Sequence, residues 1–426
     1  MMTYMALQVR QPIGEFYLTA IPASTLLKVC FSAPHTRHAS DESGMVDDAG
    51  HQRKMSKHRL ASISQYLQTL EATLPGTIIL SANCREDGSC MDPMDGNENL
   101  RWRVKKMDGN NGLFQLNIPS EEAVAAVVDG QHRLWGFQGA GDVKENFMIP
   151  CAVFLDLPTP QQAAIFATIN FNQKPVSKSQ TYELFGYNLD EEEESSWSPE
   201  KLAVFLTRKL GADPESPFVN HIKVAAIDDR VLSDIARASQ KEWTISTATI
   251  VECILKMITR NAQRERDELH KYPIEKRTRS LLRDLDVDPR YNHVRPVFRD
   301  YYLSGNQDIV IYKAIINFFT VVKDVFWKDG LHTPLKKTAG IQALFLIMTE
   351  ILRKDLLERQ DFRRESFAKI LSRASELDFN NQFFQESSGK GRALIVEAFL
   401  VALRYKSARE VDNKGLREYL NSVLKD

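Results

Sequence analysis

Short apolar runs and alternating apolar and polar positions dominate the first half of the chain. Both patterns are typical of β-strands, either buried on two faces or on one. They predict strands over residues 16–21, 77–80, 102–106, 113–118, 125–128 and 147–155. Helical spacing of Leu60, Ile63 and Leu67 predicts an amphipathic helix over 59–70, and Thr159 is expected to cap another helix that ends near Asn170.

The second half of the chain has helical periodicity almost throughout. Helices are predicted over residues 202–210, 250–262, 309–327, 341–357, 362–371 and 394–405. The acidic run 190–194 and the Ser- and Pro-containing residues after it indicate a boundary between the two patterns. We therefore expect an α/β domain of α+β character over residues 1–190 and an all-α domain over 196–426.

Composition excludes several classes of protein. The formal charge of −1 gives no overall attraction to nucleic acid, so any DNA contact must come from a local basic patch. The five cysteines lack the paired short spacing of zinc sites, which favours a reducing compartment. No apolar run has the length of a membrane span and the N-terminus lacks a signal-peptide pattern, so we expect an intact cytoplasmic protein without a membrane partner.

The most informative stretch is the strand at 125–128, which ends at Asp129 and Gly130 before a predicted helix start. A strand, a tight turn and a helix start together present unpaired N–H groups at the positive end of a helix dipole, where an anion binds. Gly130 would allow a close approach and Arg133 would clamp a phosphate. The alternative is structural: Asp129 caps the helix, His132 supports the fold and Arg133 pairs with a nearby carboxylate.

The pentapeptide 129–133 resembles the signature of the DGQHR-domain family. Residues 11–17 and 59–67 are similar to the first strand and first helix of that family, and 166–176 is similar to its F-x-x-I-N-x-x-Q-x-P segment. The family includes DndB, associated with DNA phosphorothioation, and DpdB, of the 7-deazaguanine DNA modification system. The resemblance implies a ParB and sulfiredoxin type of fold, and a component of a bacterial DNA modification or phage-defence system.

What the resemblance implies for the site is a nucleotide held at the turn. ATP or another nucleotide is the expected cofactor, with or without Mg²⁺, and no resident metal site is expected. Asp129, His132 and Arg133 are the expected catalytic residues if hydrolysis occurs. The expected nucleotide-binding residues are Gly130, Gln131, Arg59, Asn170 and Gln173. Asn170 has a structural alternative, because amides also cap helix ends.

DNA contacts are expected from a basic stretch in the helical half. Its candidate residues are Arg260, Arg264, Lys276, Arg277 and Arg279. Such a stripe would neutralise phosphates, but Asp267, Glu268 and Glu275 lie among these residues. A solvated helix with internal ion pairs is therefore an equal alternative.

Three functions follow from these hypotheses. The first is a DNA-binding component that binds a nucleotide and hydrolyses it as a switch, hence an ATPase. The second is a non-enzymatic transcriptional regulator of the modification operon, which needs no turnover. The third is a nuclease, which requires acids clustered around a metal and has only Asp129 and Asp156 as candidates. DNA and other proteins of the operon are the expected partners, and self-association remains open.

Overall fold

The computed structural model describes residues 1–32, 56–87, 89–92, 94, 96–107, 112–172, 177–185, 192–223, 243–287, 294–327, 334–385 and 389–424. The chain divides into two compact units, Met1–Pro175 and Val176–Asp426. The first unit is mixed α/β and the second is mainly helical, which confirms the broad fold class expected from the sequence. The division lies before the expected boundary at 190, because the helix Lys178–Phe185 groups with the second unit.

An eight-stranded mixed sheet forms the centre of the first unit. In chain order its strands are β1 (Met2–Gln11), β2 (Gly14–Pro22), β3 (Cys30–Ser32), β4 (Ile78–Ala82), β5 (Arg103–Lys106), β6 (Leu113–Ile118), β7 (Ala125–Asp129) and β8 (Met148–Leu155). Their order across the sheet is β3-β7-β4-β8-β2-β1-β6-β5. Strand β4 runs antiparallel to β7, which the pentapeptide follows, and parallel to β8.

Helices cover this sheet on both faces. They are α1 (Ala23–Val29), α2 (Lys57–Leu67), α3 (Gln131–Trp135), α4 (Val143–Asn146) and α5 (Thr159–Asn172). Leu26, Leu67 and Leu134, from α1, α2 and α3, share one core with Leu80 and Val127 of the sheet. Gln162 of α5 donates to the sulfur of Cys84, which lies beside the side chain of Ser81. Since successive strand residues point to opposite faces, Ser81 points away from Leu80, and α5 lies on the other side of the sheet.

In this unit, the elements with strong periodic patterns were predicted correctly, and those with weak patterns were not predicted. All six predicted strands and the helix beginning near Arg59 are present. Strand β1, helix α1 and strand β3 were not predicted. In β1 the exposed positions include the apolar residues Met5 and Leu7, so apolar and polar residues do not alternate regularly along its sequence. The family-like segment 11–17 is not one strand: it contains the turn between β1 and β2, whose register pairs Gln11 with Gly14.

The second unit is built from helices around a single large core. They are α6 (Lys178–Phe185), α7 (Pro199–Ala212), α8 (Thr247–Ile258), α9 (Ala262–Leu269), α10 (Arg299–Ser304), α11 (Asp308–Phe326), α12 (Thr338–Ile351), α13 (Arg364–Leu371), α14 (Gly389–Ala402) and α15 (Lys414–Val423). All six helices predicted here are present. Two short strands, β9 (Ile222–Lys223) and β10 (Ile245–Ser246), pair in parallel and were not predicted. Across the described ranges, no helix combines the length and the apolar character needed to cross a bilayer.

Charged side chains are buried inside this helical unit. Arg279 is fully buried, and its Nη1 donates to both carboxylate oxygens of Asp308, at 2.7 and 2.8 Å. Its Nε donates to the carbonyl of Trp197 at 3.1 Å, and its guanidinium lies over the ring of Tyr302. Because a charge in the interior is tolerated only when it is paired, Asp308 depends on Arg279.

A second buried arginine repeats the arrangement. Arg299 donates from Nη1 to Glu265 at 2.7 Å and from Nε to both oxygens of Asp286 at 3.1 Å. Burial raises the pKa of Glu265, while the charge of Arg299 opposes that rise. Arg279 and Arg299 both lie near the ring of Tyr302, so the two ion pairs share one environment.

We expect Arg279→Met to destabilise the helical unit by about 3–5 kcal/mol, because Asp308 loses its counter-charge while it stays buried. Chemical denaturation followed by circular dichroism measures the free energy of unfolding. The double variant Arg279→Met/Asp308→Leu should recover most of the loss, and Lys276→Met, at an exposed position, serves as the control. Equal losses in the single and double variants would contradict this account of the pair.

Candidate functional site

The geometry expected at residues 125–137 is present as a strand, a glycine turn and a short helix. Strand β7 ends at Asp129, and Gly130 has a left-handed backbone with a φ of +97°. The N–H of Leu134 donates to the carbonyl of Gly130 at 3.1 Å, which closes the first turn of α3. No side chain caps this helix start. Asp129 is therefore not the cap that the structural alternative proposed.

Arg133 makes its contacts inside the protein. Its Nη2 donates to Oδ2 of Asp129 at 2.8 Å, and both side chains are 27% exposed. Its Nη1 donates to the carbonyl of Gly76 at 2.5 Å, and Nη2 also approaches the carbonyl of Thr77 at 3.3 Å. With these three acceptors, the guanidinium connects the turn to the loop before β4, as the structural alternative predicted. The same N–H groups are therefore not available to bind a phosphate.

Two glycines make room for this guanidinium. A Cβ built on Gly76 would lie 2.7 Å from Nη1 of Arg133. A Cβ built on Gly130 would lie 2.9 Å from Cγ1 of Ile78 and 3.0 Å from Nη2 of Arg133. The missing Cβ of Gly130 thus makes room for Ile78 and Arg133, and the nucleotide contact expected at this glycine stays a prediction. We refer to Gly76, Thr77, Asp129, Gly130 and Arg133 together as the arginine clip.

His132 and Arg59 lie next to the clip on the helical side. Burial first, and the charge of Arg59 second, lower the pKa of His132, which keeps this half-buried imidazole neutral at pH 7. Arg59 is exposed in the first turn of α2, where its backbone N–H donates to Ser56 Oγ at 3.4 Å. Its guanidinium has no described hydrogen-bond or ion-pair partner among the residues that the structure covers. Arg59 is therefore the accessible cation beside the motif.

The amides expected at the site cannot all be placed. The side-chain amide of Gln131 donates to the carbonyl of Val127 at 3.4 Å, so this side chain stabilises the turn. Asn170 lies near the end of α5, and its side chain is outside the description. Gln173 lies outside the described residues altogether.

The basic stretch of the second unit is mostly engaged within the protein. Arg279 and Arg277 are buried; Nε of Arg277 donates to the carbonyl of Tyr272 at 3.0 Å. Burial removes both from any surface that DNA would touch, and the expected role of these two is corrected to a structural one. Arg260 and Arg264 are half-buried and have partners, whereas Lys276 is exposed.

The two acids considered for a nuclease are far apart in the first unit. Asp129 lies beside Ile79, near the start of β4, whereas Asp156 follows β8 beyond the end of β4. Asp156 accepts a hydrogen bond from Nη2 of Arg101 at 2.6 Å. In the ranges that the structure describes, no group of three or more His, Cys, Asp or Glu side chains is placed to hold a metal.

Sequence reasoning missed Gly76 as a member of the site. Pro75 and Gly76 together are a general turn signal, so the sequence does not mark Gly76 as part of the site. Only the pairing of β4 with β7 brings Gly76 beside Arg133. Nothing in the pentapeptide 129–133 indicates that Arg133 contacts Gly76.

We expect the arginine clip to behave as a coupled unit in a double-mutant cycle. Arg133→Ala should cost about 1–3 kcal/mol of unfolding free energy because Asp129 loses its partner. Gly76→Ala should be destabilising in the wild type, where its Cβ displaces the guanidinium, and nearly neutral in the Arg133→Ala background. Urea denaturation of the four proteins measures the coupling, and additive effects would disprove the contact.

The lowered pKa of His132 predicts a dependence of stability on pH. A histidine whose pKa is lower in the folded state binds protons more readily when unfolded, so its contribution is complete above a pH of about 6.5 and is lost as the pH falls through the folded-state pKa. His132→Gln should therefore flatten the loss of melting temperature between neutral and mildly acidic pH. The exposed His58, changed to Gln, is the matched control, and equal flattening by both substitutions would contradict the assignment.

The N-terminal part of the chain is similar to a known protein family. Residues 4–210 match the model of the DndB family, described as DNA-sulfur modification-associated. The match contains the sheet of the first unit from the third residue of β1 onward, together with the arginine clip. No curated protein and no solved structure matches the chain. The ParB and sulfiredoxin type of fold thus stays a prediction, and residues 4–210 of the chain are similar to the DndB family.

Proposed function

We propose that this protein is a DNA-binding component of a DNA phosphorothioation modification system, and that it acts without catalysis. Its DndB-like character implies a role in such systems, together with other modification proteins. Within that role, we assign the anion contact to the surface around Arg59 and His132. The observation that carries the proposal is the internal pairing of Arg133, which leaves Arg59 as the available cation at the motif.

The geometry of the acids favours binding over turnover. Asp129 already accepts from Arg133, and Asp156 lies at the opposite end of β4 with Arg101 as its partner. A general base must reach the proton that it abstracts, and a metal-dependent nuclease needs several carboxylates around one point. The described residues provide no such cluster of carboxylates at the motif. A role for Mg²⁺ is accordingly not supported by the donors present.

Electrostatics support Arg59 as a DNA contact. It lies in the first turn of α2, beside Lys57 and His58, and all three side chains are exposed. Arginine remains charged at every physiological pH and forms two-pronged hydrogen bonds with phosphates. A protein of nearly neutral net charge can bind a duplex through such a local cluster.

A regulatory role and a nucleotide ligand both fit this proposal. Repression of the modification operon would require DNA binding and no chemical step. The uncapped start of α3 supports a bound phosphate as well, because its first N–H groups have no side-chain acceptor. We propose ATP or another nucleotide as an effector that occupies this turn and Arg59, without hydrolysis.

Arg59→Ala should weaken binding to duplex DNA about equally for unrelated sequences and lower the slope of log affinity against log salt by about one. Fluorescence anisotropy of labelled duplexes over a series of salt concentrations measures both. Arg10→Ala is the matched control, because Arg10 is also exposed but lies on β1, which β4, β8 and β2 separate from β7. Affinities and slopes that are the same in all three proteins would contradict the proposed surface.

The same proteins test the absence of catalysis. ATP is titrated into wild type and Arg59→Ala by calorimetry, and phosphate release is followed with and without duplex DNA. We expect weaker nucleotide binding in Arg59→Ala and no phosphate release above background in either protein. Phosphate release that DNA stimulates in the wild type and that Arg59→Ala abolishes would favour the ATPase hypothesis instead.

A further inference from the structure

Two cysteines of the first unit face each other across a tight antiparallel turn. Cys84 and Cys90 form an isolated β-bridge immediately after β4. The N–H of Arg85 donates to the carbonyl of Ser89 at 2.9 Å, and that of Met91 donates to the carbonyl of Asn83 at 2.9 Å. The cysteines therefore occupy the position between two hydrogen-bonded pairs. In such positions the Cα atoms are about 4.5 Å apart, which is within the range that a disulfide spans.

The two thiols are close and differ in access. Cys84 is buried, Cys90 is exposed, and both are free. Burial is the main cause that raises the pKa of Cys84, and a hydrogen bond with the thiol of Cys90 contributes to the rise. A pair of this kind combines a thiol that reaches solvent with a protected thiol in contact with it. This is the usual composition of an oxidisable cysteine pair.

The backbone around the pair is already fixed. Asn83 has a left-handed backbone with a φ of +65° and is fully buried. Its side chain accepts from the N–H of Trp102 at 2.7 Å and donates to the carbonyl of Trp102 at 3.2 Å. Because Asn83 and Met91 are held in register, bringing the sulfurs together needs little further loss of chain entropy.

We propose that Cys84 and Cys90 are a redox modification site that closes to an intrachain disulfide when the protein meets a peroxide. The thiolate of Cys90 attacks one peroxide oxygen, the O–O bond breaks, and a sulfenic acid and one water result. Cys84 then attacks that sulfur, the S–S bond forms, the S–O bond breaks, and a second water leaves. The peroxide is reduced and the two thiols are oxidised, so two thiols and one hydrogen peroxide give one disulfide and two waters.

The disulfide would alter the contacts of α5. The sulfur of Cys84 lies 3.3 Å from Oγ of Ser81 and accepts from Nε2 of Gln162 at 3.5 Å. The same Nε2 donates to the carbonyl of Leu157 at 2.8 Å. Oxidation removes the thiol proton and turns the sulfur towards Cys90. Ser81 and Gln162 must then rearrange, and Gln162 transmits the change to α5.

The remaining cysteines supply internal controls. Cys30, Cys151 and Cys253 are buried, and burial raises the pKa of all three thiols. Since the thiolate is the reactive form, these three should stay reduced under conditions that oxidise the pair.

Peptide mapping of the full-length protein tests the proposal directly. The protein is treated with hydrogen peroxide, free thiols are alkylated under denaturing conditions, and trypsin is added. Trypsin cleaves after Arg59, Arg85 and Arg101, so the disulfide joins peptides 60–85 and 86–101. We expect this linked pair, its disappearance on reduction, and alkylation of the three buried cysteines.

Cys90→Ser gives the matched control, because the replaced side chain is exposed and serine is close to it in size. In this variant no linked pair should form, and peroxide should leave hydrogen exchange of α5 unchanged, whereas exchange of α5 should change in the wild type. Over-oxidation of Cys90 with Cys84 still free to alkylate, or disulfides between two protein molecules through Cys90, would overturn the proposal.

Discussion

The arrangement of the first unit depends on one arginine that is held where a strand turns into a helix. Arg133 bonds to Asp129 and to two carbonyls of the loop before β4, and it fits only because two glycines leave space for it. The clip therefore fixes the end of β7 to the start of β4. Helix α3 begins at that connection and contacts α2, which carries Arg59.

Much of the fold was predictable because its strongest elements carry strong local patterns. Strand β8 is a continuous apolar run with Ile149, Cys151 and Val153 fully buried, and the long helices of the second unit keep regular apolar spacing. Strand β1 escaped prediction because its apolar residues lie on both faces, one of which is exposed. Its identity as a strand comes from its pairing with β2 and β6, which is not a local property.

The candidate site was less predictable, for a related reason. The pentapeptide correctly indicates a strand, a turn and a helix start, but residue types do not reveal which partner a charged group has. Arg133 and Arg279 could both bind a phosphate by their chemistry, yet each donates instead to a carboxylate and to carbonyls of the protein. The same chemistry that binds a phosphate also binds Asp129 or Asp308. Only three-dimensional proximity separates the two uses.

The buried ion pairs of the helical unit have a consequence for how such a sequence can diverge. Arg279 and Asp308, like Arg299 and Glu265, lie where water does not replace a missing partner. Substitution of one member leaves the charge of the other unpaired in the interior. Such a pair is therefore replaced only when both residues change together, either to another ion pair or to two apolar side chains. Homologous helical regions should accordingly show these positions drifting as linked couples, with intermediate sequences rare.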